Sequence, residues 1–176
     1  DGTEFVKMFV ASTACNKIEN GEASYISGKS GIEIAIECVH EITGKELSVE
    51  PSERFSRSAQ YWCGGAVCYY QCLSSRKYAD IFKAVSYEDM LWLYPTLHEA
   101  SVEKIASVID ERIWTTYPET NLKRIRTAYG CSQRKLAEMS GVGLRSIQMY
   151  EQRNKDINKA QSESLYHLAK ALGCTM

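Results

Sequence analysis

The sequence predicts an all-α protein in two parts, a helical domain over residues 1–117 and a bundle of short helices over residues 118–176. Three observations carry that reading. Apolar residues recur at spacings of three and four, the period of one helix face. The periodic runs are bracketed by Ser or Asn at one end and Gly or Pro at the other, the residues that cap and stop helices. Strand-like alternation is confined to Glu46-Leu47-Ser48-Val49, one short strand at most.

In chain order, residues 1–27 carry only weak signals. Ile32, Ala35, Ile36 and Val39 then mark one helix face, and Gly44 stops that helix. Ser52 is expected to cap a long helix whose inner stripe is Phe55, Ala59, Trp62, Ala66, Tyr69 and Leu73. Tyr78, Ile81, Phe82 and Val85 form a short amphipathic helix. Ser86 and Asp89 have capping-box spacing, and Pro95 is expected to end the helix they open. Ser101 caps a helix carrying Val102, Ile105, Ala106, Ile109 and Ile113 on one face. Thr115-Thr116-Tyr117-Pro118 reads as the boundary, because proline biases the residue before it away from helix.

Composition narrows the class. Of 176 residues, 44% are hydrophobic and 24% charged, which suits a packed globular chain. No apolar run approaches the roughly 18 residues of a membrane span. The start, Phe5-Val6-Lys7-Met8-Phe9-Val10-Ala11, is short, and acidic Asp1 and Glu4 precede it where a secretory signal carries positive charge. A soluble protein of the cytoplasm is expected, with its seven cysteines as free thiols. The net charge of −1 conceals an asymmetry: residues 119–176 hold ten Lys/Arg against five Asp/Glu, and residues 1–118 hold eleven against seventeen. A +5 tail on a −6 body directs only the tail toward a polyanion.

That tail has the clearest pattern. A helix over about Asn121–Tyr129 stops at Gly130, and Ser132 caps a second holding Leu136 and Ala137. Gly141 supplies a tight turn, and a third helix over about Leu144–Gln152 turns Ile147 and Tyr150 inward. Asn158 and Gln161 are expected to cap a fourth, with Leu165, Leu168, Ala169 and Leu172 on its inner face and Gly173 at its end. Two short helices joined by a glycine turn make a helix-turn-helix, whose second helix must protrude far enough to enter a major groove about 12 Å wide.

The residues Leu122-x-x-Ile125-Arg126, Gly130-x-Ser132-Gln133-x-x-Leu136-Ala137, Ser140-Gly141-Val142, Ser146-Ile147-x-x-Tyr150-Glu151 and Leu168-Ala169-x-Ala171-Leu172-Gly173 resemble the lambda-repressor-like, Cro/Xre-type helix-turn-helix family. The resemblance covers Asn121–Cys174 and implies a partner, double-stranded DNA. It places Gln133 at the helix N-terminus that holds a phosphate, with Arg134 beside it. It maps base reading onto Leu144, Arg145 and Met149, flanked by Gly143, Ser146 and Gln148. Arg145 is the candidate for a bidentate contact to guanine. Arg153 and Lys155 are candidates for the DNA backbone. Arg126 and Glu151 match an ion pair that ties the first helix to the end of the third and reads no base. The sequence departs from the family at three points. Gly143 stands where Ser or Thr usually caps the third helix. Arg153 stands where a glycine usually follows, so Asn154 is expected to take the left-handed turn. A fifth helix, common in the family, would begin near Met176, which leaves a face for the N-terminal domain to cover unless the chain is truncated there.

Other motifs carry less. Ser27-Gly28-Lys29-Ser30 lacks the leading glycine of a phosphate loop, since Ala23 holds that place. Cys63, Cys68 and Cys72 share a helix and Cys38 lies elsewhere, with no paired ligands, and His40, His98 and His167 are scattered, so buried thiols and no metal or cofactor are expected. No nucleophile–base pair suggests an enzyme. Tyr61-Trp62 and Tyr69-Tyr70 around Gly64-Gly65 read as core, with a protein or ligand pocket as the alternative. The expectation is a transcriptional repressor acting as a homodimer on a palindromic operator. The alternative is an antitoxin-like protein whose N-terminal domain holds a protein partner while the tail autoregulates its operon.

Overall fold

The computed structural model describes residues 1–46 and 58–175, and the described residues form helices and connecting turns with no strand. The expected strand after Glu46 and the expected cap Ser52 with Phe55 lie outside the described residues. The chain divides into two compact units, Asp1–Thr116 and Tyr117–Met176.

Unit 1 opens with three helices where the sequence signal is weak: α1 (Gly2–Ala11), α2 (Thr13–Glu19) and α3 (Ala23–Ile26). They are short and capped by neighbours, so little of their stability comes from their own period. Buried Ser12 ends α1 and caps α2, its hydroxyl donating to Phe9 O at 2.7 Å and accepting from Cys15 N at 3.2 Å. The Glu41 carboxylate accepts from the Thr13 amide at 3.0 and 3.1 Å, closing the same helix end from α4 (Gly31–Thr43). Gly2 has a packing reason, since a Cβ there would lie 2.3 Å from the Tyr87 ring.

The Ser30 hydroxyl and Glu33 carboxylate form a capping box that starts α4, so the Ser27–Ser30 run serves a helix end. Gly44 at φ +67° stops α4 as expected, but the fully buried side chain of that helix is Cys38, while Ile32 is exposed. The next helix, α5 (Ala59–Ser74), is capped by Ser58 and buries Cys63, Ala66, Val67, Tyr70 and Gln71. The expected stripe is therefore rotated: Tyr69 and Leu73 face out, and Tyr70 is the core residue. No charged residue lies between Ala59 and Ser74, so the sequence offers no polar face to fix the phase. The expectation of buried thiols holds for Cys38 and Cys63 and fails for exposed Cys68 and Cys72; Cys15 is buried as well.

Helices α6 (Tyr78–Ala84), α7 (Tyr87–Leu97) and α8 (Val102–Thr116) follow the expected pattern closely. Tyr78, Ile81, Val85, Ile105, Ala106, Ile109 and Ile113 are buried. Both arms of the Ser86–Asp89 capping box are formed. Pro95 does not end α7, which runs on to Leu97. Proline this close to a helix end removes one hydrogen bond, and burying Leu97 offsets the loss by about 1.5–3 kcal/mol. Helix α5 packs on α7 and α8, and α6 packs on α8. The Tyr70 hydroxyl reaches from this core to Asp110 Oδ1 at 2.5 Å, and burial together with that carboxylate pushes the phenol pKa up.

Unit 2 comprises α9 (Asn121–Ala128), α10 (Gln133–Ser140), α11 (Leu144–Glu151), a 3-10 turn (Ile157–Lys159) and α12 (Ser162–Leu172). Leu122, Leu136, Val142, Ile147, Tyr150, Leu168 and Leu172 make its core. The expected Asn158–Gln161 cap is not formed. Asn158 lies in the 3-10 turn, and α12 starts at Ser162 without a side-chain cap. That turn packs Ile157 and Ala160 against the core, a gain that a fourth helix begun earlier would forgo.

Candidate nucleic-acid interface

The turn between α10 and α11 is built from three adjacent residues. Gly141 takes φ +70°, a conformation in which a Cβ is strained. Buried Ser140 donates to Leu136 O at 2.7 Å and accepts from Val142 N at 3.2 Å. Val142 anchors the turn in the core. Helix α11 leaves this turn from Gly143, which caps it with no side chain, and is pinned by Ile147 (0% exposed) and Tyr150 (5%).

With that face buried, the opposite face of α11 is fixed. Arg145 is exposed, with no hydrogen-bond or ion-pair partner among the described residues. Leu144, Ser146, Gln148 and Met149 are half-buried around it, and Gly143 is exposed at the helix start. At the N-terminus of α10, Ser132 Oγ accepts from Lys135 N at 3.1 Å. The amides of Gln133 and Arg134 form the first turn there, a natural seat for an anion. Arg134 is exposed, and Lys155 is exposed with its ammonium 5.6 Å from the Tyr150 ring centre.

A buried polar cluster holds these pieces in register. Arg126 Nε and Nη2 donate to Glu151 at 2.6 and 3.0 Å, and Arg126 Nη1 donates to Cys131 O at 2.7 Å. Only 12% of the Arg126 side chain and 2% of the Glu151 side chain is exposed. Gln133 Nε2 donates to Glu151 Oε2 at 2.7 Å, a partner the sequence did not suggest. The Glu151 carboxylate thus joins α9, α10 and α11 at one point. Burial pushes its pKa up most strongly, but the Arg126 and Gln133 hydrogen bonds together with the attraction of the Arg126 and Lys123 charges outweigh it and hold the carboxyl below the usual range. Bound this way, the Gln133 amide keeps one N–H free and a fixed orientation.

Two expectations change at the end of α11. Asn154 does not take the left-handed turn; Arg153 does, at φ +58°. The Asn154 amide bonds to Met149 O at 2.9 Å and the Arg153 amide to Tyr150 O at 3.2 Å, the two bonds of a Schellman motif. The Arg153 guanidinium donates to Tyr117 O at 2.5 Å and Pro118 O at 2.9 Å. It ties the start of the unit to the end of α11, a role that composition alone does not reveal.

A helix-turn-helix family model of the Cro/Xre type matches residues 122–176. The C-terminal third is similar to the Cro/Xre-type helix-turn-helix family. No curated protein and no solved structure matches the chain. Through its C-terminal unit, the match supports DNA binding in transcription regulation at the coarse level. Among the described residues no helix is long and apolar enough to cross a membrane, and no group of three or more His, Cys, Asp or Glu is placed to hold a metal.

Proposed function

We propose that the chain is a sequence-specific transcriptional repressor of the cytoplasm that binds a palindromic operator as a homodimer. The observation that carries it is Arg145. Arg126 and Arg153 of the same unit are committed to internal acceptors, whereas Arg145 stands exposed on α11 without a partner among the described residues. A guanidinium held there matches the O6 and N7 acceptors of guanine, with Leu144 or Met149 against a thymine methyl and Ser146 and Gln148 beside them. Gln133, Arg134, Gly143 and Lys155 contact phosphate and set the register. Arg153 follows them only through the helix end it holds.

The test is selection of bound duplexes from a random pool, then titration of the enriched and a scrambled duplex at one salt concentration. Inverted half-sites about one helical turn apart are expected. No enrichment, or a lone half-site, overturns the reading. An antitoxin-like role is favoured by one observation: unit 1 carries −6 and displays Trp92 (75% exposed) and Tyr61 (70%), aromatic anchors of the kind protein partners use. Recovery of a stoichiometric protein partner with the native chain would select it.

A further inference from the structure

Helix α5 carries Gly64 and Gly65 in its middle, where glycine weakens a helix. Nothing in the fold demands either one. Both are exposed, neither has a positive φ, and a Cβ built on either meets no atom within 4 Å. The two differ in what lies beside them. Gly65 lines a groove of about 290 Å3 between α5, α7 and α8, and Gly64 does not. Tyr61 and Tyr69 stand one turn before and one turn after Gly65, on the same side of the helix. Trp62 of the same helix and Tyr94 and His98 from the end of α7 complete the aromatic lining. Trp62 and Tyr94 meet edge to face at 5.6 Å, and Tyr94 and His98 lie 4.8 Å apart. The absence of a side chain at Gly65 leaves bare backbone between two tyrosines.

We infer that this groove is a binding site for an uncharged aromatic molecule of one or two fused rings bearing an N–H or O–H donor, of the indole or phenol class. Size sets the scale: an enclosed cavity of roughly 150 Å3 takes benzene, and this open groove is about twice that. Charge sets the class, because among the described residues no Asp, Glu, Lys or Arg lines the groove. An anion or cation there would lose its water without a countercharge. Gly65 lets a flat ring lie against the helix backbone, and the tyrosines and Trp62 supply ring contacts on its edges. The donor follows from His98. Its Nδ1 lies 3.0 Å from Tyr94 O, which only accepts, so Nδ1 carries a proton; Nε2, 3.7 Å from the exposed Glu99 carboxylate, accepts from a ligand donor when the ring is neutral.

The experiment is a 19F NMR titration of the full chain with 5-fluoroindole. Saturable binding at one site per chain is expected. Gly65→Leu, which fills the groove, is expected to weaken it at least tenfold, and Gly64→Leu, on the neighbouring flank, to leave it within twofold. Gly65→Ala guards against a folding artefact. It is expected to raise the melting temperature and still weaken the probe, a combination that general destabilisation does not give. The anionic 5-fluoroindole-2-carboxylate is expected to bind at least tenfold more weakly than 5-fluoroindole. No saturable binding, equal loss in the Gly64 and Gly65 variants, or equal affinity for the carboxylate overturns the assignment. None of these outcomes depends on DNA binding.

Discussion

Glu151 is a buried carboxylate shared by three helices, and its energetics follow from that placement. Removing Arg126 leaves the charge buried with only Gln133 and desolvated, so Arg126→Ala is expected to destabilise unit 2 by about 3–5 kcal/mol. Equal unfolding midpoints for the variant and the parent chain would contradict this. The sign of the pH dependence follows from the lowered carboxyl pKa. The contribution is complete above the unfolded value of about 4.3 and is lost as pH falls through the folded value. Denaturant melts of the parent and Glu151→Gln, compared pH by pH, should differ by a constant amount from neutral pH down to about 5 and converge below it. A difference that grows toward acid would reverse the assignment. At Arg145 the expected loss in Arg145→Ala is about 1–3 kcal/mol on the selected duplex, with relaxed preference at one base position. Equal loss on scrambled duplex would reduce Arg145 to a phosphate contact.

At the scale of the element, the end of α11 separates strain from contact. Arg153 adopts φ +58°, which costs an L-residue roughly 1–2 kcal/mol, and its grip on two carbonyl oxygens offsets that. Arg153→Ala loses the grip and keeps the strain, while Arg153→Gly loses both. The glycine variant should therefore melt above the alanine variant, separated by about 1 kcal/mol; the reverse order would mean the left-handed turn carries no strain. What the sequence disclosed follows the same division between local and distant causes. The Ser86–Asp89 box, the Ser132 cap, the Gly44, Gly130, Gly141 and Gly173 stops and the α6–α8 stripes are readable because their chemistry lies within one or two turns. Helices α1–α3 are less so: they are short, and although Asp1 and Ser12 cap α1 and α2 locally, Ser12 and Thr13 are also held by Cys38 and Glu41 of a helix further along the chain. The same holds for Gln133 on Glu151 and Arg153 on Tyr117, long-range hydrogen bonds that no spacing rule encodes. The phase of α5 fails differently, since Cys, Gly, Ala and Tyr occupy both faces and hydrophobicity alone does not choose between them.

For the whole molecule, charge and apolar surface point to a division of labour. Unit 2 holds the +5 and packs Leu122, Leu136, Ile147, Leu168 and Leu172 in one small core, with Tyr129, Met139 and Tyr166 exposed. Unit 1 holds the −6 and, outside the aromatic groove, leaves Leu73, Trp92 and Trp114 exposed. Along α5 the outward face also presents Gly64, Cys68 and Cys72, so no charge on that helix opposes approach by another chain. A single helix-turn-helix reads few bases, and a two-fold pair with half-sites about 34 Å apart multiplies that discrimination. Self-association of unit 1 is the arrangement that joins these facts, because like-charged +5 units do not draw one another together. Sedimentation of the full chain and of residues 1–116 at micromolar concentration tests it: both should run as dimers. Gln60→Glu with Gly64→Glu, which sets two charges on the bare flank of α5, should return both to monomers without lowering the melting temperature. A full-length dimer whose N-terminal fragment sediments as a folded monomer would move the interface out of unit 1. A dimer that survives both glutamates would move it off α5.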